Sequence, residues 1–170
     1  MKNLIMIGGA MGVGKTSVCK RLKNILPSAV MLDGDWCWDM SPFKVNQITK
    51  ALVIDNITYL LNNFIKCTQF KNIVFCWVMH EQNIIDTLLS NLQLHDTKVY
   101  LFSLICRPEK LVKRLNNDIK AGVRNKDIIE RSLARIKCYN EVNTIKIDVS
   151  DIDETVAADQ IVAYVKRAGL

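Results

Sequence analysis

"GGAMGVGKT" spans Gly8 to Thr16, directly after the apolar run "LIMI" (Leu4–Ile7) and before a segment of helical period. Gly9, four residues, then Gly14, Lys15 and Thr16 satisfy the spacing GxxxxGK[ST] without a mismatch. A strand before such a loop and a helix after it are the context in which this spacing cradles phosphate. Glycines let successive backbone N–H groups turn inward, forming an anion-binding concavity at the positive end of the following helix. A lysine at this point reaches the β and γ phosphates as a point charge, and the threonine hydroxyl ligates Mg2+. The bland alternative is a chance glycine turn between a core strand and a helix. The expected ligands are ATP and Mg2+. They are held by Gly9, Ala10, Met11, Gly12, Val13, Gly14, Lys15, Thr16 and Ser17, with Lys15 also catalytic and Thr16 also on the metal.

Beyond the loop, short apolar runs alternate with longer stretches of helical period. Leu4–Ile7, Ala29–Leu32, Asn72–Met79, Val99–Cys106 and Thr144–Val149 read as strands, mostly the continuous apolar kind that a sheet covered on both faces requires. Between them, Lys15–Leu26, Val45–Lys66 and Glu81–Leu92 read as helices, another opens at Pro108, and "SDIDETVAADQIVAYVKR" supplies the last. Five alternations of strand and helix imply an α/β fold with a parallel, doubly wound sheet. No repeat, low-complexity tract or linker interrupts the 170 residues, so a single domain over 1–170 is expected.

The composition, 49% apolar and 24% charged, is that of an ordinary globular chain, and the net charge of +6 suits an anionic ligand. Six cysteines are scattered without a CxxC pair or zinc-like spacing, which favours buried thiols in a reducing compartment. No stretch of ~18 apolar residues occurs, and the opening "MKNLIMIGGAMG" is too glycine-broken for a signal peptide. A cytoplasmic protein with no membrane partner is the expectation.

Many P-loop ATPases end the third strand in an aspartate that holds magnesium, but here that strand ends "VFCWVMHEQ". The second strand ends "MLDGDWCW" instead, and the period of two along a strand points Asp33 and Asp35 to the same side. They would emerge at the carboxyl end of the sheet, where ligands of open α/β sheets bind. One of the pair can steady hydrated magnesium while the other accepts the proton of an attacking hydroxyl. A plain "DGD" turn is the competing reading.

"GGAMGVGKT" followed by "LDGDW" resembles the small P-loop kinases of metabolites: gluconate, shikimate and adenylylsulfate kinases within the adenylate-kinase-like superfamily. The resemblance spans nearly the whole chain in element order and implies the P-loop NTPase fold, a five-stranded parallel sheet sandwiched by helices, with a mobile lid. It gives Asp33 the magnesium-side role, together with Thr16, and makes Asp35 the base, both beside the acceptor. It continues in "CRPEKLVKRLNNDIKAGVRNKDIIERSLARIKCY", which matches a helix containing "RL", a lid bearing arginine, and a helix with Arg and Tyr four apart. The implied lid covers approximately 114–130. Arg114 and Arg124 join the nucleotide set, Arg124 as the catalytic lid arginine, and Arg135, with Tyr139, meets the acceptor. A preorganised guanidinium stabilises charge spread over the moving phosphoryl oxygens.

No arginine occurs between Arg21 and Arg107, which argues against a strongly anionic acceptor. Trp36 and Trp38 are candidates to stack on an acceptor ring or, alternatively, to anchor the core. His80 is a candidate acceptor contact, though a structural histidine is the commoner case. The leading reading is an ATP-dependent kinase acting on a hydroxyl of a small metabolite, nucleoside or nucleotide, or antibiotic, with no nucleic acid partner. A nucleotide-binding switch or nucleic-acid-handling NTPase is the alternative.

Overall fold

The apolar runs become the strands, and their exit points place the site. The computed structural model describes residues 1–168. In chain order the elements are β1 (Lys2–Gly9), α1 (Lys15–Ile25), β2 (Ala29–Asp33), a 3-10 turn (Gly34–Trp38), α2 (Gln47–Lys66) and β3 (Asn72–Cys76). There follow α3 (Gln82–Ser90), β4 (Thr97–Ile105), α4 (Pro108–Lys120), α5 (Ile128–Ile136), α6 (Cys138–Glu141), β5 (Ile145–Asp148) and α7 (Glu154–Ala168). The strands form one sheet in the order β2-β3-β1-β4-β5, and every neighbouring pair is parallel.

β1 lies at the centre, with Asn3–Ile7 in register with Asn72–Cys76 on one side and Lys2–Gly9 with Thr97–Leu104 on the other. Leu4, Ile5, Met6 and Ile7 are wholly buried, as a strand covered on both faces must be. From β1 the chain crosses to β2, leaving room for β3, and β4 then lies on the opposite side. Ligands of open α/β sheets collect at such a switch point, outside the carboxyl ends of the strands. The glycine loop leaves β1 there.

Local chemistry fixes the helix ends. Asn46 Oδ1 accepts from the Thr49 N–H at 3.0 Å and Thr49 Oγ1 accepts from the Asn46 N–H at 2.9 Å, so α2 starts at Gln47, later than the expected Val45. Pro108 opens α4, as expected. At the far end of α2, Lys2 reaches across from β1, and its Nζ donates to the Ile65 carbonyl at 2.6 Å and the Cys67 carbonyl at 2.5 Å. A cation on the last carbonyls of a helix satisfies acceptors that have no intrahelical partner and complements the helix dipole.

Another expected boundary moves. β3 ends at Cys76, not Met79, because the Trp77 N–H makes one more bond to Ile7 O at 3.2 Å just as β1 passes into the glycine loop, after which no strand remains beside it. The segment after Pro108 breaks into α4, α5 and the short α6. All six cysteines are free thiols. Among the described residues, no helix is long and apolar enough to cross a membrane.

Replacing Lys2 by Met keeps the aliphatic stem and removes the ammonium from the end of α2. The variant should lose about 1.5–3 kcal/mol of stability, the usual range for hydrogen bonds to a charged group. At this chain length each kcal/mol corresponds to a fall in Tm of about 2–4 °C in a thermal melt.

Candidate active site

The glycine loop owes its shape to backbone conformations that side chains resist. Gly9 has φ +151° and Gly12 has φ +81°. A Cβ on Gly9 would lie 2.8 Å from Val13 Cγ1 and 2.9 Å from Leu104 O, and one on Gly12 would strike the Leu115 side chain of α4. The loop is therefore packed against β4 on one side and α4 on the other. It feeds into α1 through Gly14, the residue preceding the first helical turn.

Lys15 lies 9% exposed at that first turn, and its Nζ donates to Gly9 O at 2.9 Å and Ala10 O at 3.0 Å. Burial lowers its pKa, against the opposing pull of the Asp35 and Asp33 carboxylates. Thr16 Oγ1 donates to Asp33 Oδ2 at 2.7 Å, joining α1 to the end of β2. Ser17, next in the helix, is exposed.

Asp33 and Asp35 do not alternate along a strand as expected. β2 stops at Asp33 because Asp33 Oδ1 accepts from the Asp35 N–H at 3.1 Å, which starts the 3-10 turn Gly34–Trp38. Both acids still reach the loop, by different routes. Asp33 is buried and fastened to Thr16, while Asp35 stands on the turn within Coulomb range of Lys15. Partial burial raises the Asp35 pKa, with Lys15, Arg124 and the Trp77 side chain favouring the ionised form. Trp77 also seats the turn: a Cβ on Gly34 would come within 2.6 Å of Trp77 Cγ.

Among the arginines, Arg124 follows the end of α4, and its Nε donates to Asp118 Oδ2 at 3.0 Å. Its charge acts on both Lys15 and Asp35. Arg114 lies inside α4 and donates to the Val13 carbonyl of the loop at 3.0 Å and to the Val149 carbonyl beyond β5 at 2.5 Å. The span 114–130 thus takes in the second half of α4, the turn 121–127 and the start of α5.

The expected acceptor residues are divided. His80 Nε2 is 3.2 Å from Glu81 Oε1, and its pKa is lowered first by burial, then by Arg135, with Glu81 opposing. The charge of Arg135 thus acts on His80 and also on buried Tyr139, whose phenol burial pushes to a higher pKa. Trp36 is 58% exposed, which removes the core-anchor reading for it, while Trp38 packs its ring 5.9 Å from that of Phe43. Asp118 and Trp77, which hold Arg124 and the Asp35 turn, had no motif to announce them: the first is an ordinary helical acid, the second one of several aromatics after β-rich sequence.

Residues 5–137 match the family model described as an AAA domain. No curated protein matches significantly. Among solved structures, the chain is similar to the tunicamycin resistance protein of Deinococcus radiodurans, at 19% identity and TM-score 0.71, over 97% of this chain and 96% of that one. It is similar to a gluconokinase from Sinorhizobium meliloti, at 15% identity and TM-score 0.71, over 98% and 93%. It is also similar to shikimate kinase from Acinetobacter baumannii, in complex with shikimate, at 18% identity and TM-score 0.67, over 100% and 96%. At these identities the shared property is the fold: a five-stranded parallel sheet flanked by helices, that of P-loop NTPases.

The Asp35 shift sets a stability signature. A carboxyl whose folded pKa lies above its unfolded value of 3.8 is harmless below pH 3.8, and the penalty grows as pH rises to the folded value. Asp35→Asn should therefore stabilise the ligand-free protein at pH 7 and leave it unchanged at pH 3.5, as read from urea midpoints at the two pH values.

Proposed function

We propose, from the premise that this chain belongs to the AAA domain family, that it transfers the γ-phosphoryl group of ATP to a hydroxyl of a small molecule. One observation carries the reading: Thr16 Oγ1 and Asp33 Oδ2, two hard oxygen donors, meet at 2.7 Å beside Lys15, while Asp35 stands near the same lysine. The donor chemistry fits magnesium, which takes one or two protein oxygens and completes its shell with water and substrate phosphates. When bound, the ion neutralises charge on the phosphate oxygens. Two of the similar structures are named kinases, one of them bound to shikimate, which supports a small-molecule acceptor.

The roles follow from the contacts. Lys15 exchanges the carbonyls of Gly9 and Ala10 for the β and γ phosphates of ATP, which offer a buried ammonium stronger partners than neutral carbonyls. The loop from Gly9 to Ser17 supplies the cradle. Asp35 takes the proton of the acceptor hydroxyl as its oxygen bonds to the γ phosphorus. The bond to the bridging oxygen then breaks, and ADP departs with that electron pair. A carboxyl held above the ordinary aspartate range is a better proton acceptor than an unperturbed one. Arg124 stabilises the charge on the transferred group, and closure of the part of the 114–130 segment beyond the end of α4 excludes water that would otherwise take the phosphoryl group.

The acceptor lies between the Asp35 turn and the end of β3. Trp36 and Trp38 offer ring faces, and His80 and Arg135 offer polar contacts. Arg114 serves the nucleotide indirectly, by holding the Val13 carbonyl of the loop.

Calorimetric titration with MgATP should give binding for the natural chain and none for Lys15→Ala. Asp35→Asn should still bind MgATP, while ATP-dependent transfer, screened over a panel of hydroxylated metabolites, falls by about 10²–10⁴-fold, the usual contribution of a general base. Full transfer by Asp35→Asn would remove Asp35 from the base role; absence of MgATP binding by the natural chain would remove the kinase reading.

A further inference from the structure

α4 touches the site at three places on one face. Leu115 lies against Gly12, Arg114 bonds the Val13 carbonyl, and Asp118, one turn beyond Arg114, accepts from Arg124 Nε. Two of these contacts fix the phosphate loop, and the third fixes a guanidinium that the loop does not itself touch. A single rigid helix thus sets the spacing between them.

We propose that Asp118 is a positioning residue that holds Arg124 toward the γ-phosphoryl site of bound ATP. This inference rests on the kinase reading above. The hydrogen bond engages Nε alone, and among the described residues Nη1 and Nη2 have no protein partner. Those two groups are left to face phosphate oxygens, for which the planar fork of arginine is suited. The charge of Arg124 is felt at both Lys15 and Asp35, the two groups assigned to the transfer.

Stability does not explain the pair. The two side chains are 35% and 37% exposed, and ion pairs with that much water contribute little to folding. An acid near a polyphosphate is also unfavourable by simple charge repulsion, so its presence needs a separate reason. Fixing one end of a long, flexible side chain is such a reason, because it lessens the ordering that ligand binding would otherwise require.

Repulsion and positioning predict opposite signs, which makes the test decisive. The preference for MgATP over MgADP, measured by calorimetric titration of the full chain, reads contacts to the γ-phosphoryl group. Asp118→Ala, which removes the acceptor, should lower that preference by about three- to tenfold, the fall expected if the competent Arg124 orientation drops to between a third and a tenth of the population. Arg124→Ala should lower it as well, and adding Asp118→Ala to Arg124→Ala should change nothing further. Asp118→Ala should melt like the natural chain. An unchanged or increased ATP preference in Asp118→Ala would overturn the inference, as would an equal fall with Arg124 already absent. Absence of binding of both nucleotides to the natural chain would overturn the kinase reading, and this inference with it.

Discussion

The burial of β1 on both faces and along both edges is the constraint from which the rest follows. Leu4 to Ile7 reach no solvent, and each is in register with a parallel neighbour on either side. A strand so enclosed can leave the sheet only at its end, and there the chain must turn sharply between β4 and α4. Gly9 and Gly12 make that turn where a Cβ would collide with Leu104 or Leu115. Sharp turning and close packing are one geometric fact, and they deliver the chain to the start of α1, the end of a helix where negative charge is favoured.

Around that site charge is arranged at some cost to the folded state. Lys15 is buried and Asp35 partly so, and burial disfavours the charged form of each. Their mutual attraction offsets part of this, and the carbonyls of Gly9 and Ala10 supply hydrogen bonds to the ammonium. Asp33 is treated differently: its two oxygens are engaged by Thr16 and by the Asp35 N–H. One acid is thus structural and oxygen-donating, the other less constrained. Neighbouring carboxylates whose surroundings differ in this way can hold different roles.

α4 connects these parts to the arginines. Through Leu115 and Arg114 it braces the loop, and through Asp118 it holds Arg124. Arg135 lies on α5, which follows α4 after the turn 121–127, and its charge is felt at His80. An arginine from after the turn 121–127 therefore puts positive charge within reach of His80, although the chain before Arg107 has no arginine beyond Arg21.

The sequence by itself determined the alternation of strands and helices, the glycine loop and the presence of two aspartates after β2. These depend on local spacing: apolar runs long enough to fill a covered sheet, glycines where φ must be positive, and proline at the start of α4. The DGD turn that ends β2 at Asp33 was local too, one of two readings open in the sequence, whereas tertiary structure alone decided that the Asp33 carboxylate is fastened to Thr16 on α1. It also decided that Lys2 caps α2, that Trp77 seats the Asp35 turn, that Trp36 is exposed, and that Asp118 rather than any loop residue holds Arg124. In most of these cases the partners lie far apart in the chain, and even Asp118 and Arg124 meet only because the turn after α4 folds back. Periodicity records which face a residue takes, and only packing records what that face meets.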